Sequence, residues 1–169
     1  MRTRTILCAA SVILFMVSCA SHPITLAPVG PNPVAGGSAS ASAGQLQVFS
    51  SLDEESDNQN QGSKDPVWYQ HTDYNVYDAR GKLVKHVDNT IGHYATTPRL
   101  VTLAAGHYIV RAQANDELSV NIPVVIERGR TTKVHLDENW RLPPSTPKTE
   151  IVCDPSGYPV GWRANLPAK

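Results

Sequence analysis

Alternation of apolar and polar residues begins at Gln45 and governs the chain as far as Leu136. Gln45-Leu46-Gln47-Val48-Phe49-Ser50 reads as a half-buried strand. Val67 to Tyr77 reads as the next, with Trp68, Tyr74 and Val76 on one parity, and Asp78-Ala79-Arg80-Gly81 turns it back into Lys82–Val87. Arg99–Leu103, His107–Ala114, Leu118–Ile126 and Thr131–Leu136 follow, with turns at Ala105-Gly106 and Arg128-Gly129-Arg130. Pro123 inside its strand argues for an edge or a bulge. No helical period competes. The spacing predicts an all-β chain, a seven-stranded antiparallel β-sandwich over 45–136. Its inward set is Leu46, Val48, Trp68, Tyr74, Val76, Val101, Leu103, Tyr108, Val110, Val120, Ile122, Val124, Ile126, Val134 and Leu136. Asp53 to Gly62 and Asp88 to Pro98 read as loops.

Three segments fall outside this pattern. Arg2 and Arg4 precede an apolar run from Ile6 to Val17, too short to span a bilayer, which is the anatomy of an export signal over 1–18. Residues 20–44 are mostly Ala, Ser, Pro and Gly, a composition that predicts a disordered spacer. Residues 137–169 are Pro-rich, and Ile151-Val152-Cys153 and Pro159-Val160-Gly161-Trp162 flank a turn at Gly157. They form either a small hairpin packed on the sandwich or a wandering tail.

Met16-Val17-Ser18-Cys19 resembles the lipobox of bacterial lipoproteins, with Met where Leu is usual. The resemblance implies cleavage before Cys19, a diacylglyceryl thioether on its sulfur and usually an acylated amino group. Two or three acyl chains anchor stably where one does not. Ala20 rather than Asp after the cysteine implies the outer membrane where the host has one. The alternative is an ordinary signal with an incidental cysteine. On the first reading, 19–44 is a lipidated tether between membrane and domain.

Composition narrows the partners. Basic and acidic residues number 15 each, and loss of Arg2 and Arg4 leaves a slight negative balance. No basic stripe of the kind that nucleic acid requires is present. Cys8 leaves with the signal and Cys19 would be lipidated, so Cys153 stands alone and no disulfide within the chain is expected.

A second resemblance lies between residues 74 and 136. Val101-Thr102-Leu103-Ala104-Ala105-Gly106-His107-Tyr108-Ile109-Val110 and Val124 through Leu136, with Gly129, Thr131 and Thr132, look like the closing strands of PEGA and carboxypeptidase-regulatory-like modules. Tyr74-Asn75-Val76-Tyr77-Asp78 with Gly81-Lys82 resembles their early hairpin. The resemblance implies a prealbumin-like, or more broadly Ig-like, sandwich. Such modules mostly bind, space or brace, and fold alone assigns no activity.

Candidate chemistry is sparse. No Gly-x-Ser-x-Gly elbow occurs, and Cys153 has no evident partner histidine. Six histidines show no ligand-type spacing and read as scattered surface residues, so no cofactor is expected. Asp53, Glu54, Glu55 and Asp57 could offer oxygens to a hard cation, although a charge run of this kind is usually a solvated loop. Tyr69, Tyr77 and Tyr94 could stack on sugar rings, or cover the core edge. The leading expectation is a membrane-tethered, non-catalytic β-sandwich lipoprotein that binds or braces an envelope protein. The alternatives are a glycan-binding module using those tyrosines and a small hydrolase with an unrecognised site.

Overall fold

A computed structural model describes residues 23–37, 41–55, 68–89, 97–115, 118–142, 144 and 146–165. The expected signal, Cys19, Asp57 and Tyr94 lie outside the described residues, as do the side chains of Glu54, Glu55 and Trp68.

The chain is all-β, with no α-helix among the described residues. The strands are β1 Ile24–Thr25, β2 Val29–Gly30, β3 Ala43–Phe49, β4 Leu52–Glu55, β5 Trp68–His71, β6 Tyr74–Asp78 and β7 Leu83–Val87. They continue as β8 Leu100–Ala104, β9 Gly106–Gln113, β10 Ser119–Ile126, β11 Thr131–His135, β12 Ile151–Cys153 and β13 Pro159–Arg163. The larger sheet runs β12-β13-β2-β10-β9-β6-β7, with β1 also on β10. A three-stranded sheet runs β11-β3-β8, and β4 and β5 form a separate ribbon.

The pleat places the core as the alternation predicts. Val120, Ile122 and Val124 pair across the β9–β10 ladder with Ala112, Val110 and Tyr108. Leu46 and Val48 on β3 and Val134 on β11 meet them from the smaller sheet in one buried cluster. Every member of the expected inward set with a described side chain is buried except Tyr108, which is half-buried against the core. The Tyr108 hydroxyl reaches out to donate to the Ala104 carbonyl at 3.0 Å.

Four expectations are corrected. Pairing is mixed rather than wholly antiparallel: β1 and β2 run parallel to β10, and β3 runs parallel to β11. Parallel neighbours need a long crossover, and the chain between β3 and β11 supplies one. Asp53 to Glu55 belong to β4, paired with β5, rather than to a loop. The single strand expected over 67–77 is two, broken at Thr72-Asp73, where Thr72 N–H donates to the Ser51 carbonyl and Ser50 Oγ donates to the Thr72 carbonyl. Fourth, the segment read as a spacer supplies β1 and β2, with Leu26 and Val29 in the core. Two apolar side chains and an open edge on β10 suffice to order it, whatever its average composition.

The Pro-rich C-terminal segment forms the β12–β13 hairpin and joins the larger sheet through β13 and β2. Ile151, Val152 and Val160 are buried. Its turn closes with Gly157 at φ 91, a conformation that favours glycine.

The edge or bulge expected at Pro123 is also corrected: Pro123 lies inside β10, a central strand with an unbroken register to β9, and the structure explains how. The Asn121 carbonyl accepts from Leu26 N–H, so positions 121 and 123 direct their backbone groups toward β1 and β2. The β1 register ends at Thr25 opposite Asn121, and the β2 pairing is Val29 opposite Val124. Pro123 faces the gap between them, where no donor is needed.

Candidate binding cleft

One face of β11 and the turn before it, the strand-free stretch after it, β13 and the 31–36 segment line a cavity of about 520 Å³. Its side chains are of two kinds: the rings of His135, Trp140 and Trp162, and the cations of Arg130, Lys133 and Arg141.

The rings belong to a ladder on the face of β3 and β11 opposite the core, since Phe49 and His135 alternate with the buried Val48 and Val134. Phe49 ends β3, and its ring stacks on His135 at 4.3 Å between centroids, 13° from parallel. His135 stacks in turn on Trp140 at 4.9 Å and 14°. Trp162 meets Trp140 edge-on at 5.9 Å and 69°. Behind Phe49, His71 completes the series edge-on at 5.7 Å. His71 is buried, and its Nδ1 lies 2.7 Å from the Ser50 carbonyl. The ladder therefore holds the indoles against the outer face of the smaller sheet, which limits how much freedom a ligand must remove on binding.

The cations differ in how firmly they are held. Arg130 donates to the Glu127 carboxylate and to the Asn32 carbonyl, tying the β10–β11 turn to the N-terminal segment. Its Nε is buried with no hydrogen-bond partner among the described residues. Arg141 donates one guanidinium hydrogen to the Glu138 carbonyl at 2.8 Å, and Lys133 is exposed at the rim. Two exposed cations beside a ring wall give the mouth a positive character.

Below the rings, the Asp137 carboxylate is buried, with Oδ1 3.8 Å from Nδ1 of His135. Burial acts to raise the Asp137 carboxyl, and the contacts from His135 and Asn139 outweigh it, holding the group below the usual carboxylate value. This contact steadies the imidazole at the centre of the ladder.

The residues singled out from the sequence lie elsewhere. Asp53 is exposed on β4. Tyr69 is exposed on β5, whereas Tyr77 lies on β6 of the larger sheet with the Arg111 guanidinium 5.2 Å above its ring. The two tyrosines thus stand on different sheets, and one ring face of Tyr77 is already covered. The histidines are not uniformly superficial: His86 and His107 are exposed, but His71 and His135 are built into the ladder. Trp140, Trp162, Lys133 and Arg141 were not candidates from sequence. The available signal was a pair of tryptophans in a Pro-rich segment, a composition in which large aromatics have no reason to occur unless they pack.

Among the described residues no helix is long and apolar enough to cross a membrane. No protein-family model matches the chain, and no curated protein or solved structure does.

Proposed function

We propose that this chain is a lipoprotein anchored at Cys19 to the cell envelope, in the outer membrane where the host has one, and that it acts as a non-catalytic binding protein. The observation that carries the binding role is the cleft, with two tryptophan rings held by a ring ladder on the smaller sheet and two rim cations beside them. Rings supply apolar platforms for the faces of sugars, and Lys133 and Arg141 supply charge for an acid group. The ligand class is an acidic glycan or a similar ring-bearing anion of the envelope. This keeps the glycan alternative and moves it from the tyrosines to the tryptophans. The prealbumin-like reading of 74–136 belongs to the same proposal. It is supported by the β6–β7 hairpin, which spans the residues of the early-hairpin motif, whereas β8 and β9 lie on different sheets.

Two of the three tryptophans line the cleft, so intrinsic fluorescence reports its occupation. Titration with acidic oligosaccharides is expected to change the emission. Trp140→Ala and Lys133→Glu are each expected to weaken binding by about tenfold, the equivalent of one stacking or one charged contact. Affinity in both variants equal to that of the parent would remove the cleft as the site. For the anchor, Cys19→Ser is expected to leave the chain unprocessed and out of the membrane pellet; processing before residue 19 with retention in the membrane would overturn it.

A further inference from the structure

At the opposite side of the larger sheet, the β6–β7 hairpin gathers three potential ligand groups. Asp73 immediately precedes β6, His86 lies on β7, and Asp88 immediately follows it. Nε2 of His86 is 3.5 Å from Oδ1 of Asp88 and 3.8 Å from Oδ2 of Asp73. One ligand atom from each residue lies within 4.8 Å of the other two.

The imidazole is oriented by a group outside this trio. Asn75, directly opposite His86 in the ladder, places its carbonyl Oδ1 2.9 Å from Nδ1. That oxygen can only accept, so Nδ1 donates to it. The opposite nitrogen, Nε2, is thereby the one turned toward the two carboxylates.

The Asp73 carboxylate is also held from outside. Asp73 Oδ1 accepts the Asn89 backbone N–H at 2.9 Å, which leaves Oδ2 toward the imidazole. Asn89 itself is buried, and its amide donates to the Val48 carbonyl and to Ser50 Oγ, both at 2.9 Å. The backbone of Asp88 is fixed by Arg99, whose Nε donates to its carbonyl at 2.8 Å. His86 and Asp73 thus each have a second partner that sets the direction of the ligand atom, the arrangement by which proteins aim metal ligands, and Asp88 is fixed through its backbone.

We infer that Asp73, His86 and Asp88 form a divalent-metal site, with zinc as the ion the donor set favours. Tetrahedral zinc with bonds near 2.0 Å sets neighbouring ligand atoms about 3.3 Å apart, close to the separations across His86. An imidazole nitrogen with two carboxylate oxygens suits zinc rather than calcium or magnesium, which take oxygen ligands. Three protein ligands leave a fourth position for water or for a donor from a partner. This site is separate from the cleft and does not depend on the function proposed for it.

Calorimetric titration of the full chain with Zn²⁺ in a non-coordinating buffer tests the site, with Cys153→Ser as a common background so that its thiol does not compete. One zinc per chain is expected. His86→Gln and Asp88→Asn are each expected to weaken binding by more than about tenfold, and Asn75→Ala by a smaller factor. His107→Gln, at an exposed histidine on β9, is expected to change nothing. In imidazole ¹⁵N spectra, zinc is expected to move the Nε2 signal of His86 far more than Nδ1. All three ligand side chains are exposed, so the variants are expected to melt as the parent does. Absence of binding, unchanged affinity in His86→Gln, or an equal loss in His107→Gln would overturn the site.

Discussion

A Cβ on Gly161 would stand 2.5 Å from Cγ1 of Val29, and 3.0 Å from the Lys133 carbonyl oxygen. Both neighbours are too close for any side chain, so β13 approaches β2 and β11 only because residue 161 is glycine. The contact joins the two ends of the described chain, since Val29 comes from the N-terminal segment and Gly161 from the C-terminal hairpin. Gly161→Ala is expected to cost about 1–3 kcal/mol through overpacking. A thermal melt checks it, and an unchanged midpoint would mean that the hairpin can slide without loss.

The same contact sets the limits of the folding unit. A fragment spanning 45–136 lacks β1, β2 and the β12–β13 hairpin, which leaves one edge of β10 unpaired and the core open at Val29. Residues 23–165 are expected to melt cooperatively, and 45–136 at a much lower temperature or without a transition. Circular dichroism of the two fragments decides it; equal midpoints would restore the shorter boundary.

On β9, Tyr108 and His107 provide a test of register. Tyr108 packs on the core and His107 is exposed. Tyr108→Ala is expected to cost about 2–4 kcal/mol, below the full value for a completely buried ring. His107→Ala is expected to stay within about 0.5 kcal/mol. Denaturant unfolding measures both, and the reverse order would mean that the strand is paired one residue out.

Tyr74 concerns hydrogen bonding rather than packing. Its ring is buried, and its hydroxyl has no hydrogen-bond partner among the described residues. Burial pushes the phenol well above its usual value, with Arg99 opposing weakly. A buried hydroxyl with no partner stabilises nothing, so Tyr74→Phe is expected to be neutral or to raise stability by up to about 1 kcal/mol. A clear loss in chemical denaturation would show that the hydroxyl has a partner after all.

Asp137 makes acid sensitivity predictable. Its carboxyl is held below its ordinary value in the folded protein, so it binds a proton less readily folded than unfolded. Its contribution is complete above the unfolded value and is lost as pH falls toward the folded one. Asp137→Asn is therefore expected to lower stability at neutral pH and to flatten its decline in the acid range below the ordinary carboxylate value. Melting temperatures of parent and variant across that range should converge as pH falls, and parallel curves would contradict the assignment.

The reach of the sequence follows from where each signal comes from. Side-chain alternation reports which face of a strand meets an apolar surface, and this local property placed Leu46, Val48, Val110, Ile122 and Val134 in the core before any partner was known. It carries no record of which strand lies alongside. The parallel pairing of β3 with β11, and of β1 and β2 with β10, depends on contacts between residues far apart in the chain. Leu26 and Val29 have no alternating neighbours, so only the open edge of β10 shows why they are ordered. Pro123 argued for an edge or a bulge, and the structure instead seats it in a central strand, facing the gap between two parallel partners. The cleft was hidden for the same reason. Trp140 and Trp162 come together with Lys133 only when the C-terminal hairpin joins β2, and His86 meets Asp73 only when β6 and β7 pair. Sequence by itself determined the all-β character and the inward faces, because both follow from the pleat of single strands. Tertiary structure alone decided the neighbours, the extent of the folding unit and the sites, because each is assembled by backbone pairing between distant segments.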